Sequence, residues 1–305
     1  MDEVVDRKNP PRGESLPEHF FGRVLRPAEM LQHAHYCAVT EVAEGLRPWV
    51  KRYWSVNWDL AADERYQTAT VSEPTINLTL EYGDIGRANT NGAGIWLTGP
   101  VTGRRFDVGL FGRGGVIGVN FHLGGTLAFA NESPATIRDT SVSARTWFPG
   151  IDGDLPAHDD LPVGDQLKTE DGLAAVVSAI ESWLLSFRPQ MTEGYARFRR
   201  ILGRLDDPTI ISLGDLALRT DTSQRSLQRL FQDHCGVGVK QILVRARIRD
   251  AIAAFDRGWD GTFGDLAAEL GWFDQSHFTA DFHRVTGYTP AEYIRAHERS
   301  GQPQQ

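Results

Sequence analysis

Cysteine is scarce: Cys37 and Cys235 are too few and too far apart for a disulfide framework or a CxxC-type zinc site, so both are expected reduced. No apolar run approaches membrane-spanning length, and the opening Met-Asp-Glu-Val-Val-Asp-Arg has neither the basic nor the apolar region of a signal peptide. A cytoplasmic protein without a membrane partner is therefore expected. A phosphate-binding loop and a nucleophile, base and acid set are also missing, so neither an enzyme nor a cofactor is expected. Positive charge is short as well, because the 305 residues carry a formal net charge of −8. That sign argues against a nucleic-acid partner unless the cations are locally concentrated. Hydrophobic and charged contents are ordinary for a soluble protein, and the length suffices for two domains that each bury a core.

What the chain does have is an internal repeat. Ser212-Leu213-Gly214-Asp215-Leu216-Ala217 returns about fifty residues later as Thr262-Phe263-Gly264-Asp265-Leu266-Ala267. Ser212 and Thr262 are suited to accept from a free backbone N–H, with Asp215 and Asp265 in the capping-box position. Leu213, Leu216 and Ala217, and then Phe263, Leu266 and Ala267, supply the apolar stripe of a two-turn helix. A break follows at Thr220-Asp221-Thr222 in one copy and at Gly271-Trp272-Phe273 in the other. The chain restarts at Ser223 and Asp274, both good N-caps, and each second helix closes on a glycine, Gly236 and Gly287.

On the second helix of the first copy, Leu227, Leu230 and Phe231 share one face and Gln224, Arg225, Gln228, Arg229 and Gln232 the other. Arginine can bind guanine and glutamine adenine in bidentate fashion through the major groove. The second copy buries Phe278 and Phe282 and offers Gln275, Ser276, His277, Thr279 and His283, a weaker set of the same kind. Short helix, tight turn and polar-faced helix predict a helix-turn-helix in duplicate, with double-stranded DNA as partner. Ordinary small helices with solvated faces would not repeat caps, turns and closing glycines together. The cations are local: from Ser223 to Arg249 the only acid is Asp233, against Arg225, Arg229, Lys240, Arg245, Arg247 and Arg249. A second cluster lies at Arg197, Arg199, Arg200 and Arg204. Asp256, Asp260, Asp265 and Glu269 cancel much of this charge.

From Tyr195 to His297 these residues resemble the AraC/XylS family of transcription regulators. The resemblance rests on the glycine-aromatic turn, the Asp-Gln-Ser-His-Phe helix start, a phenylalanine four residues later and the closing Gly-Tyr-Thr-Pro, which here span Gly271 to Pro290. It implies two helix-turn-helix units joined by a long helix, with the second helix of each unit in successive major grooves. On that pattern Arg225, Gln228 and Arg229 match base-reading positions of the first unit, and Gln275, Ser276, His277 and Thr279 those of the second. Many members carry arginine where this chain has Ala280, which shifts expected readout towards the first unit.

Residues 1–18 are polar and aperiodic and are expected to form a disordered tail, as are 299–305. A β-rich sensor domain is expected over 19–165, a linker and helix over 166–192, and the DNA-binding domain over 193–298. Val50, Arg52, Trp54, Val56 and Trp58 alternate with Lys51, Tyr53, Ser55 and Asn57, a strand period. Ile76, Leu78, Leu80 and Tyr82 alternate with Asn77, Thr79 and Glu81, with Gly83 ending the strand. Further strands are expected at 95–98, 106–111 and 116–122. A mainly-β barrel or sandwich fits this pattern. The stretch Val119 to Gly125 resembles the strand and glycine turn of cupin-like sensor domains, with His122 where arginine is usual.

A cupin-like barrel raises metal binding, for which His33, His35 and His122 are the candidates. Only two of them are closely spaced and no glutamate completes a ligand pattern, so no metal is expected. Trp54, Trp58, Trp96, Phe106 and Phe121 are the candidate walls of a small apolar ligand's pocket, although aromatics at strand spacing more often make core. The stretch 149–170, rich in Pro, Gly and Asp, reads as a loop. Leu173, Val176, Val177, Ile180, Trp183, Leu184 and Phe187 then follow helical spacing, and Arg188-Pro189 stops the run. That helix is expected to pack on the barrel or on its copy in a homodimer.

Tyr195, Phe198, Leu202 and Leu205 open the helical domain, and Gly238 and Gln241 start the connecting helix of Ile242, Leu243, Ala246, Ile248, Ile252 and Phe255. The expected function is a DNA-binding transcription regulator, activator or repressor, answering a small-molecule effector and working with RNA polymerase. The alternative is a cupin-type enzyme or metal-binding protein with a helical assembly domain; a third reading is an architectural DNA binder without sequence preference.

Overall fold

A computed structural model describes residues 23–155, 170–207 and 209–300. The expected tail at 1–18 and most of the loop at 149–170 lie outside the described residues, whereas 299 and 300 still belong to the last helix. A short helix, α1 (Pro27–His33), precedes seven strands: β1 (His35–Val39), β2 (Val50–Asp59), β3 (Arg65–Thr70), β4 (Asn77–Arg87), β5 (Gly94–Thr98), β6 (Phe106–Phe121) and β7 (Ser141–Ser143). They form one antiparallel sheet in the order β1-β2-β6-β4-β5-β7, with β3 pairing β6 beside that path. Among the described residues the domain is mainly β, as expected, with its strands hydrogen-bonded into a single sheet.

Two expected breaks do not occur. Gly83 does not end its strand. At φ 72° it occupies the left-handed region where a Cβ would fall 2.1 Å from the Arg113 carbonyl oxygen, and the register shifts between Gly83 and Ile85 before β4 continues to Arg87. The two strands expected at 106–111 and 116–122 are likewise one, β6, which pairs β3 along its first part and β2 along its second. Strands β1, β3 and β7 were not legible, since they are short and lack clean alternation.

Both faces of this sheet are covered. Tyr53, Leu78, Leu80, Ile117, Val119 and Phe121 face a core against α3 (Glu170–Ser186), which follows a one-turn helix, α2 (Ile151–Asp154). The apolar stripe of α3 packs on the sheet, with Trp183 only 5% exposed and edge-on to Phe148 and Phe187 at 5.2 and 5.1 Å. The Ala43 amide donates to Glu181 at 2.7 Å, fixing that helix against the first domain. Trp183 therefore belongs to a core within one chain.

Seven helices follow: α4 (Glu193–Leu202), α5 (Leu213–Thr220), α6 (Gln224–Cys235), α7 (Val239–Asp256), α8 (Phe263–Glu269), α9 (Gln275–Thr286) and α10 (Pro290–Ser300). Their ends are set by local chemistry. Ser212, Ser223, Thr262 and Asp274 each accept from the backbone N–H three residues on, at 3.2, 3.2, 3.1 and 2.7 Å. Thr289 and Glu292 make the capping box expected before α10, and Gln241 accepts from the Gly238 amide at the start of α7. Gly236 and Gly287 close α6 and α9 at φ 69° and 78°.

The two units sit in different cores. Leu216, Leu227 and Phe231 of α5 and α6 join the core that also holds the sheet, α3 and α4. Phe198 of α4 stacks on His234 at 4.7 Å, and the Tyr195 hydroxyl donates to the Pro48 carbonyl at 3.0 Å. Leu266, Phe278, Phe282 and Tyr293 of the second unit and α10 make a separate core with Phe255, to which the first domain adds Leu25, Ala69 and Val71.

Candidate nucleic-acid interface and inner cavity

Helix α6 buries Leu227 and Phe231 and leaves Gln224, Arg225, Gln228, Arg229 and Gln232 exposed on its far side. Helix α9 buries Phe278 and Phe282 and exposes Gln275, Ser276, His277, Ala280 and His283, with Thr279 half-buried at the margin. All ten expected reading residues thus lie on two outward helix faces. The faces differ in freedom. On α6 no side chain of the five is drawn into an ion pair among the described residues, whereas on α9 His277 reaches Asp281 at 3.4 Å. Asp281 also accepts from Arg284 at 2.7 Å and from the Trp272 indole at 3.1 Å. Burial would push the Asp281 carboxyl up, but these donors outweigh it and hold it below its ordinary value.

The local run of cations is smaller at the surface than the sequence suggests. Of the six from Arg225 to Arg249, only Arg225, Arg229 and Lys240 are exposed. Arg245 is 1% exposed and donates to the carbonyls of Ser72 at 3.1 Å and Arg104 at 3.2 Å, both in the first domain. Arg247 holds the two units together by donating to the carbonyls of Gly271 and Ile211. Arg249 pairs with Glu73 at 2.9 Å. These three serve the fold's internal joints, which corrects the expectation that they add to a DNA-facing patch. Arg197, Arg199, Arg200 and Arg204 do stay exposed.

The other face of the sheet lines a cavity of about 180 Å³. Side chains at alternate positions of three strands converge there: Trp54, Val56 and Trp58 from β2, Thr79, Glu81 and Arg87 from β4, and Phe106, Val108 and Leu110 from β6. Glycines make room for the indoles, since a Cβ on Gly118 would lie 2.1 Å from the Trp54 ring and one on Gly114 2.4 Å from the Trp58 ring. Three of the five candidate aromatics, Trp54, Trp58 and Phe106, line this space. Trp96 and Phe121 do not. The Trp96 indole turns back to the Gly92 carbonyl at 3.1 Å, and Phe121, fully buried, belongs to the core on the opposite face because β6 alternates through Asn120.

Polar residues of β4 are inside. Glu81 and Arg87, each with a side chain 1% exposed, pair through two bonds of 2.6 and 3.1 Å. Arg87 also donates to Thr98 and Ser141, and Thr79 donates to Glu81 at 2.6 Å, which satisfies the pair where water cannot. At another wall Glu73 accepts from Lys51 at 2.7 and 2.8 Å as well as from Arg249 of α7. Burial would raise the Glu73 carboxyl, yet Arg249 and Lys51 hold it far below the usual carboxylate range. The cavity wall and the helix between the two helix-turn-helix units therefore share a carboxylate. Sequence reading missed this joint, because Glu73 lies 176 residues from Arg249 and no local pattern links them.

The histidines raised as metal candidates are dispersed in role. His33 contacts Glu64 at 2.8 Å and stacks on Tyr66 at 4.3 Å, and burial lowers the His122 pKa, with Arg199 and Lys51 adding to the effect. Among the described residues no group of three His, Cys, Asp or Glu side chains is arranged to hold a metal ion. Both cysteines are buried and neither forms a disulfide among the described residues, and burial pushes the Cys235 thiol up to about 12. Among the described residues no helix is long and apolar enough to cross a membrane.

Known proteins match this chain in two blocks. A helix-turn-helix domain model matches residues 216–296, and a domain of unknown function, DUF6597, matches 42–143. The HTH-type transcriptional activator RhaR of Yersinia pseudotuberculosis is 31% identical over 88 residues. That is 29% of this chain and 30% of RhaR, so the chain spans under a third of the curated relatives it matches. Among solved structures, ToxT of Vibrio cholerae overlaps 80% of this chain and 98% of its own at 12% identity and a TM-score of 0.43. The C-terminal domain of AraT from Geobacillus stearothermophilus overlaps 35% of this chain and 88% of its own at 19% identity and a TM-score of 0.30. Superpositions this loose leave function to be read from this chain's own residues. The helix-turn-helix domain model thus spans most of α5 through α10, the two capped units joined by α7.

Proposed function

We propose that this chain is a sequence-specific DNA-binding transcription regulator whose N-terminal domain takes a small-molecule effector in the inner cavity. The observation that carries the DNA reading is the pair of outward faces on α6 and α9, polar and exposed while the opposite faces are buried. Bases are read from one side of a helix held rigidly from the other. Helix α7 spaces the two units so that α6 and α9 enter successive major grooves, about 34 Å apart along the duplex. The first unit contributes more discrimination, since Arg225 and Arg229 offer bidentate guanine contacts and α9 has no arginine at Ala280.

The effector reading rests on the cavity. Its volume is close to the ~150 Å³ that suffices for a benzene-sized guest, and Trp54, Trp58 and Phe106 offer flat apolar walls. A guest displacing Glu73 would loosen the Arg249 joint and shift the population of domain arrangements available for DNA. Selection from a random DNA library with the full chain tests the function. The expected product is a bipartite motif with elements about 10 bp apart, one of which relaxes in Arg229→Ala. Enrichment no better than an architectural binder's, without a motif, would sink the proposal.

A further inference from the structure

Where the first domain meets α7 and α9 there is a second cavity, of about 250 Å³, bordered by Thr102, Lys240, Arg245, Asp281 and Arg284. We propose that this cleft is a binding site for a phosphate-sized oxyanion, either inorganic phosphate or the phosphate group of a small metabolite. It is separate from the inner cavity and does not depend on what that cavity holds.

The buried guanidinium of Arg245 is the main reason. Its Nε and Nη1 donate to the neutral carbonyls of Ser72 and Arg104, and among the described residues its Nη2, fully shielded from solvent, has no hydrogen-bond partner. A buried cation satisfied only by neutral groups, with a donor left over, is costly unless an anion completes it. Burial and the nearby Arg249 and Arg284 lower its pKa to about 10, with Asp139 acting in the opposite sense, so it remains charged at neutral pH.

The carboxylates within reach are committed elsewhere. Asp281 already accepts from Arg284 and Trp272, and Asp139 accepts from the amide and hydroxyl of Thr102, both at 2.6 Å. Lys240 stands exposed in the first turn of α7, an 18-residue helix whose N-terminal end carries partial positive charge. Lys240, Arg245 and Arg284 therefore surround the cleft with one bordering carboxylate between them. Guanidinium and ammonium donors together suit a phosphate group, whose several oxygens can accept from more than one cation. Because Thr102 belongs to the first domain while the cations lie on α7 and α9, occupancy would tie the first domain to both units.

The test is calorimetric titration of the full chain with inorganic phosphate in a phosphate-free buffer, at ionic strength held constant with chloride. The expected result is saturable binding at one site, weakened at least tenfold in Lys240→Ala and in Arg284→Ala, together with a rise in the wild-type melting temperature that Lys240→Ala lacks. Arg245→Met should abolish binding, and the two exposed-site variants keep the test decisive should that buried substitution unfold the chain. Absent saturation, or equal affinity in wild type and Lys240→Ala, overturns the proposal. So does the outcome expected if the cleft serves the DNA backbone instead: no phosphate binding by the free protein, with Lys240→Ala lowering the salt slope of DNA affinity by about one.

Discussion

Ser212 and Thr262 start the two helix-turn-helix units with the same bond, and Gly236 and Gly287 end them with the same backbone turn. Behind that shared frame the units differ. The first shares its core with the sheet and α3 through Phe198 and Phe231, whereas the second has its own aromatic core of Phe255, Phe278, Phe282 and Tyr293. The first domain reaches the second through Leu25, Ala69 and Val71 in that core and through polar contacts at its rim. Arg105 donates to the Thr286 carbonyl and lies over the Tyr288 ring, and the Tyr293 hydroxyl accepts from the Arg26 amide at 3.4 Å. In front, the expected reading set of the first unit holds Arg225 and Arg229, whereas that of the second holds no arginine. A duplicated scaffold is thus anchored in two ways: one unit is continuous with the core of the sheet and α3, the other sits in a smaller core to which the first domain adds three side chains.

The largest expected effect probes the shared core. Phe231→Ala should cost about 3–5 kcal/mol and expose backbone amides of the sheet as well as those of α6, whereas Phe282→Ala, of similar cost, should expose α8 to α10 first. Hydrogen exchange read by mass spectrometry separates the two, and identical patterns would erase the distinction between the cores.

Next in size is the joint of Glu73 with Arg249. Glu73→Gln removes charge-assisted bonds to Lys51 and Arg249 and should destabilise domain docking by about 1.5–3 kcal/mol, measured as protease sensitivity between the domains. Since the folded carboxyl is held below its ordinary 4.5, the contribution is complete above that value and is lost as pH falls towards the folded value. A docking strength that instead weakened on raising the pH from 5 to 7 would contradict this role of Glu73.

At the reading faces, Arg229→Ala should weaken specific binding by about 1–3 kcal/mol, and Gln275→Ala by less. Fluorescence anisotropy on the selected site ranks them, and the reverse order would make the second unit the main reader. The smallest effect is a gain. Ala280→Arg should add one phosphate or base contact, steepening the salt dependence of binding by about one; an unchanged slope would place position 280 away from the duplex.

The helical half was largely legible from sequence. Caps such as Thr262 with Asp265, and stripes such as Leu227 with Phe231, act over three or four residues, so the residues that make the bond are the residues that display the pattern. The sheet was legible only in part. Alternation located β2 and β4 but could not say that Glu81 and Arg87 face a closed interior, because a buried ion pair alternates as a solvated face would. For the same reason Phe121 and Phe106 looked alike as pocket walls, although an odd number of steps along one strand puts them on opposite faces. The basic run from Arg225 to Arg249 misled in the same way. Sequence counts charges, and only the docking of the first domain turns Arg245 and Arg249 inward.

By itself, then, the sequence determined the duplicated helix-turn-helix frame, the ends of its helices and the ten side chains on its two outer faces, since caps, turns and helical periodicity are short-range. Tertiary structure decided which face of the sheet encloses the cavity, which arginines stay exposed and how Glu73 joins the two domains. Those outcomes depend on groups far apart in the chain, whose pairing is worth making only once both have been withdrawn from water together.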